Sequence, residues 1–342
     1  MLRARWKPYT LDFTFEARTS RSVMHHKDTF FVEVWDDVAP AVRGLGECAL
    51  FRGLSREDSA DYEAHLDEAC REPMAALESS YSSIRFGFEG AMASLARAKG
   101  CAPEPTAWER GEKGIPINGL VWMGDRALML ERIKEKIAAG FRCIKLKIGG
   151  IDFGEELELL RFIRNSFAAD ELELRLDANG AFTADNVMQR LEALSAYSVH
   201  SLEQPVRAGQ YDLMARVCRE SPISIALDEE LIGTTSADFK AQLLEHIRPA
   251  YVILKPSLCG GFSGADEWIA AAQARGIGWW ATSALESNIG LEEIAHWVSR
   301  KDTHMPQGLG TGQLYSNNVG SGIRRIGSEV WAVPDAPWSN VF

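Results

Sequence analysis

A chain of 342 residues, 46% of them hydrophobic, can bury a large core and has the composition of a globular protein. Its formal charge of −11, from 48 acidic against 37 basic residues, leaves no basic footprint for nucleic acid or an anionic membrane. No apolar run approaches the roughly 18 residues of a membrane span, and Met1-Leu-Arg-Ala-Arg-Trp-Lys-Pro-Tyr9 lacks the apolar core of a signal peptide, so a cytoplasmic protein with a small-molecule partner is expected.

Up to about Ala49 the chain reads as a meander of short strands at residues 11–15, 22–26 and 29–35, with a donor-rich loop, Arg18-Thr-Ser-Arg-Ser22, between the first two. Helical patterns follow at 57–71 and 80–98, the second stopping at Lys99-Gly100. After Ala102-Pro-Glu-Pro105 the rhythm changes. Strand-like runs at 115–121, 143–148, 173–177, 198–202, 224–227, 251–254 and 277–281 alternate with helical patterns at 126–139, 153–167, 184–196, 211–219, 237–246 and 266–275.

A β-α repeat of this period predicts an α/β fold, a modified (β/α)8-type (TIM) barrel, with an open doubly wound sheet as the second choice. The expected division is an α+β capping domain over 1–105, a catalytic barrel over 106–315, and a tail over 316–342 that packs back on the capping domain. The six cysteines (Cys48, Cys70, Cys101, Cys143, Cys218 and Cys259) show no C-x-x-C spacing and suit a reducing compartment.

Within Phe141-Arg-Cys-Ile-Lys-Leu-Lys-Ile-Gly-Gly150, Lys145 and Lys147 stand two apart on a strand and share a face. Each disfavours the charge of the other, and burial acts in the same sense. One of the pair is therefore expected to fall from about 10.4 towards neutral and to serve as a general base.

Polar residues then recur at the C-terminal end of run after run: Lys147, Asp177 with Asn179, Glu203, Asp228 with Glu229, Lys255 and Ser283. One such residue per repeat places them at one mouth of a barrel. Three carboxylates there repel one another unless a cation lies between them, and an all-oxygen set suits Mg²⁺ better than zinc. Lys147 and Lys255, on strands flanking the carboxylates, can then face each other across a metal-held substrate, the geometry for abstracting a proton α to a carboxylate.

The motifs Ile144-Lys-Leu-Lys147, Leu176-Asp-Ala-Asn-Gly180, Leu202-Glu-Gln-Pro205, Ala226-Leu-Asp-Glu-Glu230, Ile253-Leu-Lys-Pro256, Ser283-Ala-Leu-Glu-Ser-Asn-Ile-Gly290 and Gly308-Leu-Gly-Thr-Gly312 resemble the enolase superfamily in its muconate-lactonising-enzyme-like branch. Within that branch the chain most resembles the o-succinylbenzoate synthases of menaquinone biosynthesis. The resemblance covers the barrel, and the α+β unit is similar to the family's capping domain.

It implies a lyase, a dehydratase, that converts 2-succinyl-6-hydroxy-2,4-cyclohexadiene-1-carboxylate to o-succinylbenzoate through an enediolate. It further implies Mg²⁺, with Mn²⁺ as a substitute, on Asp177, Glu203 and Asp228, with Asn179 and Glu229 in support. Lys147 would be the base, Lys145 the neighbour that lowers its pKa, and Lys255 a cation against the ring of the intermediate. Ser283 and the backbone at Ala284 and Leu285 are expected near the succinyl group, and Arg21, in the cap loop, over the mouth. The partner implied is a small carboxylate, and a homo-oligomer is allowed.

Three other readings stand beside this one. One is a non-catalytic barrel used only as a binding module, which loss of a metal ligand or of Lys147 would suggest, and neither is lost. An N-succinylamino acid racemase or dipeptide epimerase would use Lys147 and Lys255 as two proton-transferring groups, and a Schiff-base aldolase would use Lys255 as nucleophile. The stretch His304-Met-Pro-Gln-Gly-Leu-Gly-Thr-Gly312 lacks the Asp-x-Asp clamp that dipeptide epimerases of the branch carry near the eighth strand, which favours the synthase.

Overall fold

The computed structural model describes residues 1–18, 23–334, 336 and 341–342. Where the sequence suggests three short strands, two long ones form. β1 (Leu2–Arg18) alternates Leu2, Ala4 and Trp6 with Arg3, Arg5 and Lys7, a period-2 pattern that starts at the second residue. It pairs antiparallel with β2 (Val23–Asp36), from Leu2 opposite Asp36 to Asp12 opposite His26, and the register shifts before Ala17 meets Met24. β2 runs straight through Lys27, which turns inward and is buried instead of breaking the strand.

β3 (Arg43–Cys48) adds the third strand, and the helices α1 (Tyr62–Arg71) and α2 (Ser82–Ala98) cover the sheet. α2 lies directly on β3 because three glycines meet there: a Cβ on Gly46 would stand 2.1 Å from the Gly87 carbonyl oxygen. α1 starts later than its pattern suggests. Glu57 turns inward instead, where its Oε1 accepts from the N–H and Oγ of Ser83 at 2.8 and 2.9 Å.

The second layer system begins with β4 (Ile115–Pro116), β5 (Gly119–Val121) and α3 (Arg126–Ala138). It continues through β6 (Cys143–Lys147), α4 (Phe153–Ser166), β7 (Glu173–Asp177), α5 (Val187–Ser195), β8 (Ser201–Glu203), α6 (Tyr211–Glu220) and β9 (Ile225–Leu227). α7 (Ala237–Ile247), β10 (Tyr251–Leu254), α8 (Gly261–Gln273), β11 (Gly278–Ala281) and α9 (Asn288–Ser299) complete it. Strands β5 to β11 form one parallel sheet in sequence order, each joined to the next by a crossover helix.

The sheet closes through a stave two residues long. Gln307 bridges in parallel to Ile117, and Gly308 to Thr282, so β11 and β5 are joined across it. Side chains of the strands and of the inner helix faces make one contiguous core. Trp279 is buried in it, whereas Trp280 is buried in a separate cluster with Ala226 and Ile253, under the Arg175 guanidinium, 4.2 Å from the ring centroid.

The C-terminal hairpin β12 (Ile323–Ile326) and β13 (Glu329–Ala332) pairs with β4, on the barrel side. The residues around it turn to the first sheet: Ser316 N donates to Asp12 O, and Phe342 lies under Arg5. All six cysteines are free, and no helix among the described residues is long and apolar enough to cross a membrane.

Candidate active site

Parallel register brings the strand ends level. Lys147 of β6 stands opposite Asp177 of β7, and Asp177 opposite Glu203 of β8. Lys145 and Lys147 share the inward face. Lys145 Nζ donates to Glu203 Oε1 at 2.7 Å and lies 3.0 Å from Asp177 Oδ2. Lys147 Nζ donates to Asn179 Oδ1 at 2.6 Å and to Asp177 Oδ2 at 3.1 Å.

Across the mouth, Lys255, just past β10, donates to Asp228 Oδ2 at 2.5 Å. Asn179 sits at φ 44°, a left-handed conformation that asparagine tolerates, and its Nδ2 donates to Glu229 Oε1 at 3.2 Å. The Asp228 N–H is held by Gln204 Oε1 at 3.1 Å.

Asp177, Glu203 and Asp228 are almost wholly buried. Burial works to lower the Lys145 pKa, but the carboxylates of Asp177, Glu203 and Asp228 more than reverse it, and the ammonium is held charged. Asp177 is the mirror case: burial pushes its carboxyl up, and Lys145, Lys147 and Lys255 bring it well below the usual range. Glu203 stays above its usual range, first through burial and then through the Asp177 carboxylate beside it.

That like-charge pressure is what a divalent cation relieves, and the donors are all hard oxygens on three adjacent strand ends, so the residues fit such an ion. In the lysine-bridged arrangement no group of three His, Cys, Asp or Glu side chains among the described residues closes tightly enough to hold a metal ion. Lys145 and Lys255 are bonded to the carboxylates instead.

A cavity of about 350 Å³ opens above this cluster, between the barrel mouth and the first sheet. Among the residues singled out in the sequence, Lys145, Lys147, Asp177, Asn179, Glu229, Lys255, Ser283, Ala284 and Leu285 line it. Glu203 and Asp228 join through their bonds to Lys145 and Lys255. Arg21 lies outside the described residues.

The segment at 283–285 lines the cavity as expected by position, with its polar groups engaged inside the protein. Ser283 Oγ donates to Glu286 Oε2 at 2.6 Å and accepts from Leu285 N, while Ala284 N donates to the same Glu286 oxygen at 2.7 Å. Leu285, at φ 67°, is fixed by Tyr315, whose hydroxyl donates to its carbonyl at 2.7 Å. What this segment turns to the cavity is therefore apolar wall.

Sequence reasoning passed over Asn118, Thr282 and Thr311, and over Met24 and Phe51 to Leu54 on the capping side. Asn118 gave a usable signal, a lone amide inside an aliphatic strand run. Thr311 lies in the glycine-rich stretch noted for its family resemblance. The loop at 51–54 carries no periodicity and reaches the mouth only through the docking of the first sheet.

Comparison with known proteins identifies the family and the fold. Residues 128–331 match the family described as enolase C-terminal domain-like. The chain is 43% identical to the o-succinylbenzoate synthase of Desulfotalea psychrophila, over 92% of this chain and 94% of that one. The crystal structure of MenC from Desulfotalea psychrophila LSv54 superposes with a TM-score of 0.85 at 38% identity, covering 97% of this chain and 99% of that one. The fold extends to the dipeptide epimerase from Enterococcus faecalis V583, solved with Mg and the dipeptide L-Leu-L-Tyr, at a TM-score of 0.83 and 17% identity over 98% and 97% of the two chains. The chain belongs to the enolase superfamily.

Proposed function

We propose that the chain is an o-succinylbenzoate synthase, a lyase that removes water from 2-succinyl-6-hydroxy-2,4-cyclohexadiene-1-carboxylate to give o-succinylbenzoate. The observation that carries the choice within the superfamily is the cavity wall on the closing stave and the turn that follows it. It is built from Gly308, Gly310 and Thr311 and holds no carboxylate for a substrate ammonium. Near-full-length likeness to a relative of that name supports the same reading.

Enzymes of this superfamily are generally dependent on a divalent metal. Mg²⁺, with Mn²⁺ as a substitute, would be held by Asp177, Glu203 and Asp228, supported by Asn179 and Glu229, and supplies positive charge to the substrate carboxylate as its α carbon loses a proton. Lys147, as the free amine, takes that proton. The ammonium so formed gives a proton to the hydroxyl departing on the same face, so that water leaves and the ring becomes aromatic.

Lys255, ion-paired with Asp228, stands on the other side as a fixed cation against the ring and transfers no proton. The aliphatic wall of Leu120, Leu258 and Leu285 excludes water from the anionic intermediate. The test is an ultraviolet assay for o-succinylbenzoate formation with Mg²⁺ and then with EDTA. Turnover that needs the metal is the expected result. An inactive metal-loaded enzyme that exchanges the Cα proton of N-succinylamino acids or dipeptides would replace this reading with racemisation or epimerisation.

A further inference from the structure

Nearly every polar side chain that lines the cavity has a partner inside the protein. Asn179 is held between Lys147 and Glu229, and Lys255 is bonded to Asp228. Of the three hydroxyls, Thr282 Oγ1 donates to Gly308 O at 3.1 Å and Ser283 Oγ to Glu286 at 2.6 Å.

Two side chains are left over. Asn118 is 3% exposed and Thr311 5% exposed, and among the described residues neither Asn118 Oδ1 nor Thr311 Oγ1 has a hydrogen-bond partner. Buried polar atoms are seldom left unpaired, because each forfeits its bonds to water, so such atoms in the wall of a cavity mark where a ligand's polar groups complete them.

Both belong to the seam where the first strand meets the closing stave. Asn118 N donates to Gln307 O at 2.9 Å, and Thr311 lies four residues after Gln307, in the turn that follows the stave. Glycine lets the stave pack directly on Thr282: a Cβ on Gly308 would stand 2.0 Å from Thr282 Oγ1.

We infer that Asn118 and Thr311 form the subsite for the succinyl arm of the substrate. This rests on the synthase reading above. The arm carries a ketone oxygen and a terminal carboxylate, which only accept hydrogen bonds. Thr311 Oγ–H is an unengaged donor. Asn118, with no bond at Oδ1 to hold its amide, can turn Nδ2–H to the same arm. Ser283, Ala284 and Leu285 have their donors bonded to Glu286 or to one another, so they shape the arm's apolar methylenes instead of its oxygens.

The test uses the Mg²⁺-loaded enzyme with o-succinylbenzoate and with benzoate, which lacks the arm, each titrated by calorimetry beside the turnover assay. Thr311→Val keeps the side-chain shape and removes the hydroxyl. It should weaken o-succinylbenzoate binding and raise KM at least tenfold while kcat stays within about threefold and benzoate binding is unchanged. Thr311→Ser should restore both constants, and Asn118→Leu should act as Thr311→Val does.

Unaltered o-succinylbenzoate affinity in both the valine and the leucine variants, in an enzyme whose wild type turns over, overturns the subsite and leaves the synthase reading intact. An equal loss of benzoate binding also overturns it, since the arm would not be what is recognised. A wild type with no turnover and no preference for o-succinylbenzoate over benzoate overturns the synthase reading itself, and with it the arm for which the subsite is argued.

Discussion

Lys145 and Lys147 share one face of β6 and one carboxylate, Asp177, yet their remaining partners differ. Lys145 turns to a second carboxylate, Glu203, whereas Lys147 turns to a neutral amide, Asn179. A lysine enclosed by carboxylates is held as a cation and cannot accept a proton, which supports Lys147 over Lys145 as the proposed base. Lys147→Ala should therefore reduce turnover by at least about a thousandfold, within the range that general bases contribute, while Mg²⁺ binding followed by calorimetry is retained. Lys255→Arg keeps a cation on the opposite side but offers no transferable proton near neutral pH. Synthase turnover should persist at a reduced level in that variant, and full racemase activity in it would contradict the assignment of Lys255. Strand-end placement of these residues was readable because the pleat fixes which side chains share a face. Their hydrogen bonds were not, because Glu286, which engages Ser283 and Ala284, is selected by the local turn at Leu285 and leaves no periodic trace.

At the scale of elements, the crossover helices and parallel strands were legible wherever an aliphatic run alternated with an amphipathic one, and the misses share a physical cause. α9 carries Ile289, Leu291, Ile294, Ala295 and Val298 inward, but Glu292 and Glu293 are buried beside them, so its polar face is hidden as well and the amphipathic signal is blurred. The eighth stave is two residues long and has no run to detect. α8 starts at Gly261, ahead of its pattern, because its first turn is capped from another layer. α9 is also pinned near its end: His296 Nδ1 lies 2.7 Å from Glu109 Oε1, and Arg300 pairs with the same carboxylate. Burial works to raise the Glu109 pKa, yet the hydrogen bonds from His296, Thr106 N and Arg300 bring it down to about 2. For His296, burial works to lower the pKa, and hydrogen bonds to Glu109 and Glu292 raise it. The stability that Glu109 contributes is thus present above about pH 4.5 and lost as pH falls towards 2. The contribution of His296 is full below about pH 6.5 and lost as pH rises through its raised folded value. The melting temperature of wild type relative to His296→Gln should therefore be greatest between those limits and shrink on both sides. A difference that stays flat from pH 5 to pH 9 would remove the ion pair from the account of α9.

For the whole molecule, the question is what seats the first sheet on the barrel, since the cavity is walled by both. Two carboxylates of the capping layers reach across to helix N-termini, where unpaired N–H groups and the helix dipole favour negative charge. Glu47 of β3 accepts from Ser287 N, Ser287 Oγ and Gly290 N at the start of α9, at 3.0, 2.5 and 3.0 Å, and from Thr29 Oγ1 in its own sheet. Glu89 of α2 accepts from Phe262 N at 2.5 Å and from Ser263 Oγ at 2.5 Å at the start of α8. Burial holds the Glu89 carboxyl above its usual range even so, and it lowers the Lys27 pKa against the attraction of Glu47 and Glu286, Lys27 Nζ having no hydrogen-bond partner among the described residues. The joint is thus built from buried charge, which costs a great deal to break from one side and specifies a single seating. Replacing Glu47 with glutamine keeps the shape but removes the charge and half the acceptor capacity, so the loss should be about 2–4 kcal/mol, with Glu89→Gln costing about 1–2 kcal/mol. Wild type should melt as one transition, because the layers cannot part without stranding the two carboxylates on one side and the helix ends of α8 and α9 on the other. The double variant should melt in two transitions by scanning calorimetry and show a raised KM, since the capping residues Met24, Phe51 and Leu54 would no longer be held against the mouth. A double variant that still melts once, with an unchanged KM, would mean that apolar contact alone seats the cap and that the buried carboxylates do not hold the layers together.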